Sequence, residues 1–600
     1  VDVMADAPRE VYVRGRERCV GVVTAGEARS IAIGRARLLC FALMIAAGWG
    51  AWVDAVPGAT IVIPIVGFVA LVFVHEREHR RIDRARRGVT HYDDGLARQD
   101  GTWVGRGNAR TDLVAADHPY ARDLDLFGRG SIFELLCTAR TAAGEQTLAA
   151  WLSAPADLHA LAERRAAVEE LAPSVVLREE LASVGEALRA EVDPEMLARW
   201  GEAPAGVDAR MRSRITLGAW ILPPCVAATV GLWSTGVLPA WPVVVVLALL
   251  FAFHRWARPF TAAATSAIER PARELATVAG LLARLESEAV GAPRLRALQA
   301  ALVRGDAAAS RRIRTLCRLV EWLQVRQSQL LSIVAWLVCW TEHFTLAIER
   351  WRERSGGDIA RWFAALGELE AIAALSAHAF EQSGDVWPEL VDGAPTLEAN
   401  AIAHPLLPRD TAVANDVALG GTTVALMISG SNMAGKSTYM RTVGVNVVLA
   451  LAGAKVRAAH MRLSVLQVAA SIRIEDSLRD GASRFYAEIS RLKQVTVLAA
   501  GPTPVLFLLD EVLHGTNSHD RRVGARAVLG LLLDAGALGM MTTHDLALAT
   551  DVEGLAPRVR NVHFCDTLRD DRLVFDHRLR EGIVETSNAL ALMRAVGLRV

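Results

Sequence analysis

The side chains with the clearest capacity for chemistry lie in the run Leu426–Thr438, LMISGSNMAGKST. An apolar strand pattern over Thr423–Ile428 leads into Gly430-x4-Gly435-Lys436-Ser437, and a helical pattern follows over Tyr439–Leu451. Strand, glycine turn and helix in that order make a phosphate-binding loop, in which backbone N–H groups wrap the phosphates and the helix N-terminus adds its positive end. Lys436 is expected to reach the β- and γ-phosphates and the Ser437 hydroxyl to bind Mg²⁺. A second apolar run, Val505–Leu509, ends in Asp510 and Glu511. One carboxylate beside the metal and one to polarise the attacking water is the pairing that phosphoryl transfer to water requires. Met540–Thr543 reads as a further strand whose polar end places His544 toward the γ-phosphate.

These residues need a parallel sheet to hold them. From Pro405 onward short apolar runs alternate with helical stretches, the signature of an α/β domain, and the texture changes near residue 390, just after Trp387-Pro388. Upstream the pattern is helical: Leu148–Leu171, Ala262–Arg294 and Ile359–Phe380 are rich in Ala, Leu, Glu and Arg at helical spacing.

The chain has 600 residues, and its 66 basic and 66 acidic side chains cancel. No global field therefore points to nucleic acid or to an anionic surface. Seven scattered cysteines without a C-x-x-C pair fit neither a disulfide framework nor a paired-cysteine zinc site. The mean hydropathy of +0.26 is high for a chain with 22% charged residues, and the excess sits in two hairpins. Leu38–Val53 and Ala59–Val74 lack charge and are joined by a short turn; Ile215–Trp233 and Val237–Phe253 repeat the pattern. The first two runs are slightly short for a span of about 20 residues and must borrow from their flanks. Arg35, Arg37, the stretch His75–Arg87, Arg210, Arg212, Arg214, His254, Arg255 and Arg258 flank the four runs, whereas the turns carry only Asp54. That bias predicts multi-pass insertion in the inner (cytoplasmic) membrane, with the large segments and the nucleotide loop in the cytoplasm. No cleavable signal peptide is expected, because the first apolar run continues into a second. A fifth run, Leu330–Trp340, would carry the nucleotide loop outside if it crossed, and is read as a buried core helix.

The stretch Gly430–Arg441, GSNMAGKSTYMR, resembles the nucleotide loop of the MutS family of DNA mismatch-repair ATPases, with Ser431 and Ala434 as departures. Asp510–Asp520, Thr542-Thr543-His544 and Asp480–Glu488 resemble that family's acidic, switch and signature segments. His404-Pro405, Asn415-Asp416 and the stretch from Leu126 to Leu171 extend the likeness upstream. Val413-Ala414 stands where relatives commonly place an adenine-stacking aromatic. The resemblance implies an ABC-type P-loop α/β ATPase domain over 391–600. An all-α core and lever domain over 121–390 would precede it, interrupted by the hairpin at about 215–253, behind an N-terminal region 1–120 carrying the hairpin at about 38–74. It implies ATP and Mg²⁺ held by Gly430, Asn432, Met433, Ala434, Gly435, Lys436, Ser437 and Thr438, with Asp510 on the metal and Glu511 and His544 catalytic. It also implies a homodimer with composite sites, in which Ser483 caps the nucleotide of the neighbouring subunit. Residues 1–125 offer no Phe-x-Glu wedge of the kind that reads mismatches in that family. Two functions follow from different classes: ATP-driven lever movement around DNA, duplex or branched, or a membrane-tethered mechanochemical or scaffold ATPase whose partner is an unknown protein. A transporter is a weaker third, since the four runs offer no polar intramembrane pathway.

Overall fold

The computed structural model describes residues 7–185, 194–203, 209–265, 272–304, 307–324, 331–431, 434–473, 484–514, 516–569 and 572–584. It opens with two long helices, α1 (Pro8–Trp52) and α2 (Val62–Gln99), packed antiparallel along their length. Their two halves differ in what they bury. At the near end Tyr12, Cys19, Ile82 and Tyr92 fill the seam, and Gly15 and Gly95 permit it: a Cβ at Gly15 would lie 2.3 Å from the Tyr92 ring, and one at Gly95 2.4 Å from the Tyr12 ring. At the far end Leu38, Ile45, Trp52, Ile63 and Phe73 are exposed.

The near end is tied to the helical core by polar contacts. Arg98 Nε donates to Glu381 Oε2 at 2.7 Å, Tyr12 Oη donates to Glu381 Oε1 at 3.0 Å, and Tyr92 Oη donates to Glu179 Oε2 at 2.6 Å. The core is built from helices with legible starts. Thr141 caps α3 (Ala142–Ser153) by accepting from Gly144 N, and Asp157 caps α4 (Leu158–Leu171) by accepting from Ala160 N. The expected single helix over Leu148–Leu171 is thus two, interrupted around Pro155, which lacks the N–H a continuing helix would need.

The second hairpin is α5 (Ala209–Ser234) and α6 (Trp241–Thr265), again with exposed apolar side chains such as Trp220, Trp233, Val244 and Phe251. The run Leu330–Trp340 does not form one buried helix. Ser332–Leu337 is a short helix with Ile333 and Val334 exposed, and Cys339 at φ +50° breaks it from α7 (Trp340–Ser355). Helix α8 (Ile359–Glu381) matches expectation and is buried on most faces.

Among the described residues, five helical stretches are long and apolar enough to cross a membrane by length and composition. None of the most apolar window is buried in the first two, and 17% is in α5 and in α6, whereas 83% is buried in the stretch Trp340–Glu381. The last is therefore core, and the other four lack protein cover for their apolar faces.

Beyond α8 the chain becomes α/β. β1 (Glu389–Leu390), β2 (Thr396–Ile402), β3 (Asn415–Gly420) and β5 (His460–Leu463) form a four-stranded sheet in the order β1-β5-β2-β3. β4 (Ala425–Ser429), β6 (Gln467–Ser471), β7 (Val505–Leu509), β8 (Leu538–Thr543), β9 (Val559–Arg569) and β10 (Arg572–Glu581) form the larger sheet. Its order is β10-β9-β4-β8-β7-β6, parallel except for the antiparallel β9–β10 pair. Strands β4, β7 and β8 are buried at every position, which explains their unbroken apolar sequence. One hydrophobic core runs from Trp151 and Leu152 of the helical part into Val448 and Leu451 of α9 (Lys436–Ala452). A short upstream segment is built into the α/β part: Asp123 Oδ1 accepts from Ile472 N and Arg473 N at 2.7 Å, and Asp123 Oδ2 accepts from Arg491 Nη2 at 3.0 Å.

Candidate functional site

The site sits at the C-terminal ends of β4, β7 and β8, the edge at which parallel sheets present ligand-binding loops. β4 delivers Gly430 at φ +142°, where a Cβ would lie 2.8 Å from the Phe564 carbonyl oxygen of β9. Gly435, at φ +114°, is the N-cap of α9. Both glycines of the motif are required by backbone geometry.

Lys436 is buried. Its Nζ donates to Gly430 O at 2.7 Å and Ser431 O at 3.1 Å and lies 3.7 Å from Glu511 Oε1. Burial pushes its pKa down, while Glu511 and Asp510 pull it back up. Ser437 Oγ donates to Asp510 Oδ2 at 2.5 Å. Lys436 and Ser437 of α9 are thus brought together with Asp510 and Glu511 at the end of β7. Ala434 is buried in the loop, Thr438 lies in the first turn of α9, and Tyr439 Oη is bonded to Asp416 O. Asn432, Met433 and Ser483 lie outside the described residues.

His544 follows β8 directly; its Nδ1 is 3.5 Å from Glu511 Oε1, and its Nε2 is 3.3 Å from Arg521 Nη1. It faces the carboxylate predicted to act on water. The structure adds residues with no individual role assigned from the sequence. Thr542 Oγ1 donates to Asp510 Oδ1 at 2.5 Å and accepts from Glu511 N at 3.0 Å, so one hydroxyl fixes both carboxylate residues. His514 Nδ1 lies 3.7 Å from Glu511 Oε2. Buried Glu488, on α10 (Arg484–Ala499), accepts from Leu513 N, pinning the turn where Glu511 and Leu513 adopt φ of +44° and +59°. His577 Nδ1 is 3.1 Å from Ala434 O, and Asn415 Nδ2 donates to the His577 carbonyl at 3.0 Å, so β10 closes over the loop. Of these, Thr542 had a signal in the sequence, a hydroxyl at the end of an apolar strand. His577 had none.

The cradle suits a nucleoside triphosphate with Mg²⁺. A glycine-lined loop opens onto a helix N-terminus, and the Ser431 hydroxyl is buried without a hydrogen-bond partner among the described residues. The one lysine of the loop is satisfied by loop carbonyls, contacts that phosphate oxygens can replace. Ser437 and Asp510 offer the hard oxygen ligands that Mg²⁺ takes.

Residues 426–599 match the family model described as MutS domain V, an ABC-type ATPase domain. This part of the chain is MutS-like. The DNA mismatch repair protein MutS 2 of Halobacterium salinarum is 35% identical over 251 residues, 41% of this chain and 29% of that protein. The DNA mismatch repair protein MutS of Natronomonas pharaonis is 35% identical over 213 residues, 34% of this chain and 24% of that protein. The same-named protein of Shouchella clausii is 30% identical over 238 residues, 39% and 27% of the two chains. The matched stretch spans less than a third of the length of each relative. The MutS domain V match begins inside β4, so it takes in the loop, both carboxylates, His544 and the β10 cover.

Proposed function

We propose that this chain is a Mg²⁺-dependent ATPase of MutS type, held in the inner membrane by its two helical hairpins and active as a homodimer with composite nucleotide sites. The observation that carries the ATPase reading is the convergence of Lys436, Ser437, Asp510 and Glu511 at one sheet edge, with Thr542 bonded to both carboxylate residues. Ser437 and Asp510 would hold Mg²⁺, which would supply neutralisation of charge on the phosphate oxygens. Lys436 trades the Gly430 and Ser431 carbonyls for phosphate oxygens. Glu511 orients water and takes its proton, and His544 and His514, both beside that carboxylate, stabilise the charge distribution around it. Ser483 completes the partner's site, as the resemblance implies.

The domain organisation proposed is an N-terminal membrane arm over 1–120, a helical core and lever over 121–390 and the ATPase over 391–600. The arginine-flanked roots and nearly charge-free turns of the hairpins support placing the ATPase in the cytoplasm. ATP turnover then moves the helical levers. DNA, duplex or branched, is the partner proposed from the likeness to proteins named for DNA mismatch repair. The exposed apolar hairpins favour a second reading, in which the levers act on a membrane-associated protein partner. The basic stretch Arg77–Arg87 gives DNA little support, because Arg80 and Arg86 pair with Glu76 and Glu27.

One experiment separates these readings. ATP hydrolysis by the full chain in detergent is measured with and without Mg²⁺, and DNA affinity with and without ATP at two salt concentrations. Lys436→Ala is expected to abolish hydrolysis, and Glu511→Gln to retain ATP in a closed dimer. Undiminished hydrolysis by Glu511→Gln sinks the assignment of that carboxylate. Salt-sensitive, ATP-linked DNA binding supports the first reading; its absence, with a protein recovered by crosslinking in membranes, supports the second.

A further inference from the structure

At the foot of the second hairpin three side chains of metal-binding type meet. His254 lies on α6 just past the apolar run, Cys339 is the N-cap residue of α7, and Glu342 lies in the first turn of α7. One ligand atom from each lies within 4.8 Å of the others. Cys339 and Glu342 are almost fully buried, at 0% and 3% exposure.

The hydrogen bonding there is one cation short. His254 Nε2 is 2.9 Å from the Trp336 carbonyl oxygen. A carbonyl only accepts, so the ring proton belongs on Nε2. That leaves a lone pair on Nδ1, pointed at Glu342 Oε1 only 2.8 Å away. Two acceptors at that distance need a positive species between them. The second carboxylate oxygen, Glu342 Oε2, is buried with no hydrogen-bond partner among the described residues. A proton on Nδ1 would answer the first deficit and leave Oε2 unanswered. A divalent cation answers both and finds a third ligand in the Cys339 sulfur.

We propose that His254, Cys339 and Glu342 form a Zn²⁺ site that staples the second hairpin to the helical core. Nitrogen, sulfur and oxygen ligands together select zinc over Mg²⁺ or Ca²⁺, which take oxygen alone. A histidine whose distal nitrogen is held by a backbone carbonyl is the usual supported ligand. The thiol proton leaves to solvent on binding. A thiolate and a carboxylate then balance the charge of Zn²⁺, so the filled site buries no net charge. Cys339 is held at φ +50°, a left-handed conformation that is strained for a non-glycine residue and concentrates at ligand clamps. The site stands apart from the nucleotide loop, and this proposal does not rest on the ATPase reading.

The test uses the full chain in detergent, stripped with a chelator and titrated with Co²⁺ as the spectroscopic stand-in for Zn²⁺. A thiolate-to-Co²⁺ charge-transfer band is expected to saturate at one equivalent and to vanish on adding Zn²⁺. Among the described residues, the other cluster with metal-binding geometry, Glu511, His514 and His544, holds no cysteine, so it cannot produce that band. Cys339→Ser is expected to remove the band, and His254→Ala to abolish stoichiometric binding. Should either variant elute as an aggregate, Glu342→Gln keeps the local volume and supplies the same readout. Absence of the band in the unaltered chain, or its persistence in Cys339→Ser, overturns the proposal.

Discussion

Thr542 concentrates more of the site in one hydroxyl than any other side chain. Its proton goes to Asp510 and its lone pair receives the Glu511 N–H, so removing it loosens the proposed metal ligand and the proposed base together. Thr542→Ala is expected to lower kcat about 10–100-fold, the usual effect of losing such a support, with Thr542→Ser restoring most of it; steady-state hydrolysis measures both. At His404 burial pushes the imidazole pKa down to about 4, against an opposing pull from Asp125. The folded state holds this ring neutral, with Nδ1 accepting from Leu406 N at 3.3 Å, whereas the unfolded chain takes up a proton near pH 6.5. Its contribution to stability is therefore complete above about pH 6.5 and is lost as the pH falls toward 4, amounting to roughly 3 kcal/mol at most. Thermal melts between pH 5 and 7.5 should slope downward on acidification, and His404→Asn should flatten the slope. Lys436, Ser437, Asp510 and Glu511 were legible because each stands in a short contiguous motif, Gly430–Ser437 or Asp510–Glu511. The bonds that support them were not, because Thr542 lies 32 positions from Asp510 and Glu488 lies 25 from Leu513. Nothing in linear order announces such pairs.

Among the elements, the buried strands and α9 were readable from apolar runs alone, since a strand covered on both faces has no polar positions to confuse the pattern. Leu330–Trp340 was not: its composition fits a core helix, yet Cys339 turns the chain and leaves Ile333 and Val334 exposed. The arm of α1 and α2 was visible only as its apolar end. Its docking depends on Glu381, at the last turn of α8, which receives both Arg98 and Tyr12. Glu381→Ala strands a buried guanidinium, a loss of about 3–5 kcal/mol. Limited proteolysis should then cut the arm much faster than in the unaltered chain, while hydrolysis at the nucleotide site persists. Unchanged protection would show that the apolar seam alone holds the arm.

For the molecule as a whole, the proposed topology makes a direct prediction about the two hairpin turns. In a background lacking Cys40 and Cys225, Asp54→Cys and Thr235→Cys should both react with a membrane-impermeant maleimide applied to intact cells. Arg462→Cys, on the α/β part, should react only after permeabilisation. Labelling of Arg462→Cys in intact cells would invert the arrangement. The α/β class, the helical upstream part and the four exposed apolar helices all came from composition and periodicity. The merging of Asp123 and the Trp151–Leu152 region with the ATPase core did not, because it joins residues hundreds of positions apart.

The two hairpins meet the core differently. Tyr12 docks on Glu381, and from there α1 runs about 40 Å, at 1.5 Å per residue, before its apolar stretch begins at Leu38. In the second hairpin Ile215 opens the apolar stretch and already packs on Leu346 of α7. If both hairpins enter one bilayer, the body is slung from a tall mast and a short one. Two tethers of unequal height confine a rigid body to swinging about the line that joins them, so a stroke of the proposed ATPase in any other direction would pull on the membrane or flex the taller mast.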